Sequence, residues 1–147
     1  MVICYTSAME CRFCDLEIKN QQTIIDVRKH CIVIFSNPRL MRGHLLIVPK
    51  RHVLNLVDLN EEEQKELFDT TVFYQDKILK NLASGCDIKQ HNRPFIPEND
   101  LKVDHLHIHL QPREFEDELY LKSQIFDRGI FKPLPEDEVF EINKLLK

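Results

Sequence analysis

The chain has 147 residues, 43% of them hydrophobic and 30% charged, which is enough for a buried core in an ordinary globular protein. A formal net charge of −4 argues against general binding to nucleic acid or to an anionic membrane, because an acidic surface repels both. The N-terminal MVICYTSAME lacks the basic and apolar regions of a signal peptide, no apolar run is long enough to span a bilayer, and the five cysteines, an odd number, fit a reducing cytoplasm.

In chain order, the segments TIIDV (23–27), CIVIFS (31–36) and HLLIVP (44–49) are short, apolar and rich in β-branched residues, and they predict strands. Pro38 and Gly43 punctuate NPRLMRG (37–43) as a turn or short loop. A long helix is expected over about 60–84. Asn60 is a good N-cap with Glu63 three residues later, Leu67, Thr71, Ile78 and Leu82 form one stripe flanked by Phe68, Val72 and Leu79, and Gly85 is placed to end it. CDIKQ (86–90) predicts a further strand, HNRPFIPEND (91–100) a loop, and PEDEVFEINKLLK (135–147) a terminal helix begun by Pro135. No repeat or low-complexity tract divides the chain, so 1–147 is expected to be one α+β domain built on an antiparallel sheet.

The stretch VDHLHIHLQPR (103–113) spends three of the seven histidines within five residues, alternating with Leu106, Ile108 and Leu110. A strand sends successive side chains to opposite faces, so His105, His107 and His109 share one face while the apolar residues enter the core. Such a row offers either ligands to a catalytic metal or a nucleophilic imidazole whose neighbours set its tautomer and bind an anion. Elsewhere, Cys11 and Cys14 have the C-x-x-C spacing of two thiolates on one zinc, a spacing that also suits a redox pair or two small buried residues. His44 and His52 lie on either side of the apolar strand in RGHLLIVPKRHV.

Taken together, C-x-F-C, G-H-L-L-I-V-P-K-R-H and H-φ-H-φ-H, from about Cys11 to Arg113, resemble the histidine-triad (HIT) family of nucleotide hydrolases and transferases, in its zinc-bearing bacterial form. The resemblance implies a HIT-like fold of about five antiparallel strands with a long central helix and a C-terminal helix, residues 114–147 being an extension that packs on the core. It implies that His107 attacks the α-phosphate of a purine nucleotide derivative, such as a dinucleoside polyphosphate or a nucleoside phosphoramidate. The resulting nucleotidyl-histidine is then hydrolysed by water, with His109 and His44 completing the catalytic cluster. Cys11, Cys14, His52 and His105 match the positions of a closed, structural Cys-Cys-His-His zinc site, which disfavours metal-dependent hydrolysis at the triad. A cytoplasmic homodimer is implied as well. A nucleotide-binding regulator with little turnover is the alternative in another functional class.

The chain departs from the family at two places. Where members carry an Asp that binds the ribose hydroxyls, this sequence has Ser36 followed by Asn37. Where many carry a Gly-Gln stretch that gives amide donors to phosphate, it reads NDLKV. Ser36 and Asn37 are the candidates for the ribose, and Asn92, Asn99 and Lys102 for the phosphates.

Overall fold

Five short apolar segments pair into one antiparallel sheet in the order β1-β2-β3-β5-β4. They are β1 (Ile24–Val27), β2 (Cys31–Phe35), β3 (Leu45–Pro49), β4 (Gly85–Lys89) and β5 (Ile108–Arg113). The computed structural model describes residues 11–19, 21–127 and 131–147, and Cys4 falls outside these. The fold is α+β, as expected, and the first four strands lie within a residue of their predicted bounds.

Both faces of the central strands are covered, which is why β2 and β3 read as apolar runs and not as alternation. One face sends Val33, Leu45, Ile47 and Leu110 against Leu67 and Ile78 of the helix α2 (Glu61–Asn81). The other face sends Ile32, Ile34, Leu46 and Val48 against Leu16 and Phe13 of the N-terminal segment, where Leu16 opens the short helix α1 (Leu16–Lys19).

Three expectations need correction. Strand β5 begins at Ile108, so only His109 of the three triad histidines lies in the ladder. The register Ile47↔Ile108 would set Leu106 opposite Pro49, which has no N–H to donate. The chain there bonds elsewhere, the Leu106 N–H donating to the Val53 carbonyl at 2.7 Å. Leu106 and Leu110 are nevertheless buried on the helix-covered side, so the alternation of side chains continues through the segment. Helix α2 stops at Asn81 with Leu82 as its C-cap, and Gly85 opens β4 instead of closing the helix. On α2 itself Phe68, Val72 and Leu79 are exposed, as is Leu82 at its C-cap.

The turn between β2 and β3 depends on Gly43. Its φ of +78° is left-handed, and a Cβ there would come within 2.2 Å of Leu82 Cδ2. The α2 N-terminus is closed by a reciprocal cap. The Glu63 N–H donates to Asn60 Oδ1 at 3.0 Å, and the Asn60 N–H to Glu63 Oε2 at 2.9 Å. The same carboxylate receives Arg51 Nε at 2.9 Å and Nη2 at 2.6 Å, which ties the end of β3 to the start of the helix. Arg51 and the Asn60 amide hold the Glu63 carboxyl down at about 2 despite its burial, the guanidinium contributing most.

Residue contacts divide the chain into two compact units, Met1–Glu114 and Phe115–Lys147. The second unit carries the expected terminal helix, α4 (Glu136–Leu146), N-capped at Pro135, and a helix not foreseen, α3 (Glu118–Asp127). No helix among the described residues is long and apolar enough to cross a membrane.

Asn60→Ala should remove one half of the reciprocal cap and lower stability by about 1 kcal/mol. A thermal melt lowered by a few degrees, with unchanged far-ultraviolet dichroism, is the expected result.

Candidate active site

The tautomers of the histidine row follow from groups that can only donate or only accept. A carbonyl oxygen accepts, so the ring nitrogen Nδ1 of His107, 2.6 Å from the His105 carbonyl, carries the proton. Its Nε2 then keeps a lone pair and faces away from the backbone. A backbone N–H donates, so His44 Nδ1, 3.2 Å from the Leu40 amide, is the acceptor, and His44 Nε2 carries the proton. That Nε2 lies 2.9 Å from His109 Nδ1 and donates to it, which leaves the His109 proton on Nε2. Among the described residues the backbone thus leaves one lone pair free, on His107, beside one free N–H, on His109. Their ring centroids are 4.8 Å apart.

Desolvation keeps these rings neutral. Burial, with the neighbouring His107 and Lys89, pulls His44 down to about 4. Burial and the surrounding His107, His44, His91 and Lys89 pull His109 down to about 3. His107 is lowered by burial and by His91, and its bond to the His105 carbonyl opposes the shift only in part. A buried imidazole that stays neutral can act as a nucleophile below the pH at which a free histidine would protonate.

Two cavities reach His107 and His109. The first, about 260 Å³, is lined by Phe13, Leu16, Ile34, Phe35, Ser36 and Asn37 among others. Phe13 stands edge-on to His107 with centroids 5.2 Å apart. The second, about 350 Å³, is lined by His91, Asn92, Arg93, Lys102 and Gln111 among others. The candidates for ribose, Ser36 and Asn37, therefore lie together in the first cavity. Asn92 and Lys102 lie in the second, already engaged: Asn92 Nδ2 donates to Asn55 Oδ1 at 2.8 Å, and Lys102 Nζ pairs with Asp104 at 2.5 Å and also meets the Ile96 carbonyl. Asn99 lines neither cavity; its Oδ1 accepts the amides of Leu101 and Lys102 at 2.8 and 3.0 Å and shapes the loop before the triad.

Sequence alone assigned no site role to His91, Gln111 or Arg12, nor to Phe13 beyond its place in the C-x-F-C motif. His91 stands edge-on to His109 with centroids 5.3 Å apart. Arg12 Nη2 donates to the Asn99 carbonyl at 2.9 Å, joining the N-terminal segment to the loop at the rim of the first cavity. Gln111 had a signal, since it continues the alternation of His105, His107 and His109 on the same face. For His91 there was none, because only the β4–β5 register, Lys89↔His109, brings it to the row. Arg113, the last residue of β5, pairs with Asp87 across that register at 2.6 Å.

Below the row, Cys11, Cys14, His52 and His105 converge, their ligand atoms lying within 4.8 Å of one another. Cys11 Sγ is 3.4 Å from His105 Nδ1, and Cys14 Sγ is 3.3 Å from His52 Nδ1 and 3.7 Å from His105 Nδ1. Ligand atoms around a tetrahedral zinc stand roughly 3.3–3.8 Å apart, given Zn–S and Zn–N bonds of about 2.3 and 2.0 Å. The tautomer also fits. His105 Nε2 donates to the Pro49 carbonyl at 2.8 Å, so Nδ1 turns its lone pair toward the thiols. Loss of hydration and the adjacent Cys11 push the Cys14 thiol up to about 11, so a bound cation would favour its thiolate. The four side chains are a donor set compatible with zinc.

Residues 17–116 match the model of the HIT domain family. A HIT family protein from Bacillus anthracis shares the fold at 18% identity over 94% of this chain and 95% of its own, with a TM-score of 0.73. A zinc-bound histidine triad family protein from Mycobacterium smegmatis matches at 23% identity over 89% and 87%, with a TM-score of 0.64. A HIT family hydrolase from Clostridium thermocellum matches at 22% identity over 71% of this chain and 91% of its own, with a TM-score of 0.56. A comparison with curated proteins finds no match. With its family model spanning the sheet and the whole histidine row, the chain belongs to the HIT domain family.

Proposed function

We propose that the protein is a nucleotidyl hydrolase or transferase that attacks the α-phosphate of a purine nucleotide derivative through His107. The observation that carries this reading is the tautomer of His107, held by the His105 carbonyl at 2.6 Å with Nε2 left free toward both cavities. Family membership supports a nucleotide-directed hydrolase or transferase in general. In the first step the Nε2 lone pair bonds to the α-phosphorus and the bond to the leaving group breaks, its electron pair departing with that group. In the second, water bonds to phosphorus, the P–N electrons return to the imidazole, and a water proton is released. His109 presents its Nε2–H to the phosphoryl oxygens in both steps, and His44 holds it in that orientation. The first cavity takes the nucleoside, with the base among Leu16, Ile34 and Phe35 and the ribose at Ser36 or Asn37.

Cys11, Cys14, His52 and His105 hold a structural zinc in this reading, which fastens the N-terminal segment to the triad strand and takes no part in the chemistry. The protein works as a cytoplasmic homodimer. Exposed Phe68, Val72 and Leu79 on α2, with Ile88 on the edge strand β4, support self-association, since edge strands and apolar patches are rarely left uncovered.

His107→Gly should lower turnover of a fluorogenic adenosine phosphoramidate by about 10³-fold or more, because the covalent route is lost. A variant that kept a tenth of the wild-type rate would exclude His107 as nucleophile. A wild-type protein that binds AMP but turns over no nucleotide would favour a regulator.

Because burial lowers the pKa of His107, kcat/KM should stay level on acidification through about pH 6.5 and fall only below it. Stability should decline over an overlapping range. His44 and His109 bind their protons more readily when unfolded, so the stability they contribute is complete above about pH 6.5 and is lost toward their folded values of about 4 and 3. Rates paired with the folded fraction at each pH test both statements. A kinetic midpoint at or above about 6.5 on folded protein contradicts the first.

Cys14→Ser should release about one zinc ion per chain and lower the melting temperature, since a closed site contributes folding free energy directly. Elemental analysis and a thermal melt check this. Wild-type protein with free thiols and no zinc, made in zinc-replete medium, would refute the site.

A further inference from the structure

The C-x-x-C turn belongs to two sites at once. The Cys14 N–H donates to the Cys11 carbonyl at 3.1 Å and closes the turn, and both thiols converge on His52 and His105. The two residues between them, Arg12 and Phe13, line the first cavity. Phe13 stands edge-on to His105, with centroids 6.0 Å apart, as it does to His107. Four consecutive residues therefore carry half of the metal donor set and part of the cavity wall, so neither can shift without the other.

Arg12 carries the link to a second wall of the same cavity. Its guanidinium donates through Nη2 to the Asn99 carbonyl at 2.9 Å and through Nη1 to the Asp100 carbonyl at 3.3 Å. Asp100, Leu101 and Val103 of that loop line the first cavity. Asn99 Oδ1 folds the loop on itself by accepting the amides of Leu101 and Lys102, but these bonds do not reach the N-terminal segment. Arg12 spans the gap with two donors of one planar fork, which a lysine ammonium cannot copy. Exposed bonds to neutral carbonyls contribute little to global stability. Their consequence is local: they set the spacing of the rim.

We propose that Arg12 is a positioning residue that couples the metal site to nucleotide binding. The inference rests on the zinc and nucleotide readings given above. With Cys11 and Cys14 held on a metal together with His52 and His105, the turn is fixed and Arg12 keeps the Asn99 and Asp100 carbonyls in place. The first cavity then has both walls at the spacing a nucleoside fills. When the thiols are released, the turn and Arg12 are released with them, and the rim loses its clasp. Arg12 itself is outside the donor set, so it acts on the metal only through this geometry. Coupling between two binding sites is reciprocal, so a metal that tightens nucleotide binding is itself tightened by the nucleotide by the same factor.

The test needs no turnover. Zinc-loaded, full-length wild type, Arg12→Ala and Arg12→Lys are equilibrated with a chromogenic chelator, without AMP and with AMP at one fixed multiple of its Kd for each protein. AMP should raise the apparent zinc affinity of wild type about tenfold, an ordinary size for coupling between sites. The rise should fall below about twofold in Arg12→Ala and recover in part in Arg12→Lys. Arg12 is exposed, so its replacement leaves folding intact. A coupling that ran only through global unfolding would give all three proteins the same rise, because each is equally saturated. An equal rise in wild type and Arg12→Ala therefore overturns the assignment. Loss of zinc from Arg12→Ala before AMP is added marks a general defect and overturns it too. A wild type that holds zinc and binds AMP with no effect of one on the other overturns it while sparing both readings. A wild type without zinc, or one that binds no AMP, removes the corresponding reading and this inference together.

Discussion

His105 is the residue on which the site depends, because its side chain and its main chain serve different parts of it. The ring donates to the Pro49 carbonyl and turns Nδ1 to the two thiols, while the carbonyl accepts the Nδ1–H of His107. The Cys-Cys-His-His cluster and the proposed nucleophile therefore meet at one residue. Its position is over-determined by the buried Leu106 next to it, whose N–H is bound to Val53. A rigid peptide is what the proposed chemistry requires, since a carbonyl free to turn would no longer hold His107 in the tautomer that leaves Nε2 open.

The same economy runs through the rest of the histidine row. Each ring borrows its orientation from main chain that the fold must place anyway: the Leu40 amide in the β2–β3 turn for His44, the His105 carbonyl for His107, and His44 in turn for His109. Burial supplies the electrostatics, because several imidazoles close together in a desolvated face cannot all carry charge. Opposite charge is kept to the periphery. Asp87 answers Arg113 and Lys89, Asp104 answers Lys102, and Glu63 answers Arg51, so that no carboxylate is among the residues that bring the triad its tautomers.

Much of this was legible along the chain. Four strands, the capped start of α2 and the helix after Pro135 follow from local pattern, since each is decided by the residues within it. The alternation at 105–110 is likewise local and separated the core-facing leucines from the histidines before any partner strand was known. What misled was the assumption that alternation means a hydrogen-bonded strand. The ladder starts only at Ile108, because the residue that would pair with Leu106 is a proline. Gly85 misled in a similar way, since a glycine past a helical stripe reads as a stop whether or not the next strand needs it.

By itself the sequence determined the residue types and their alternation: a row of imidazoles on one face, a C-x-x-C pair, and two more histidines flanking an apolar strand. These features depend on neighbours a few positions apart. The tertiary structure alone decided which of those groups meet. The β3–β5 register set His109 opposite Leu46, and the β4–β5 register set Lys89 opposite His109 and carried His91 to the row. The fold brought Cys11 and Cys14 to His52 and His105, and opened two cavities against the same pair of histidines. Contacts between residues far apart in sequence depend on strand register and on which backbone groups find partners, and neither is encoded in any single stretch of the chain.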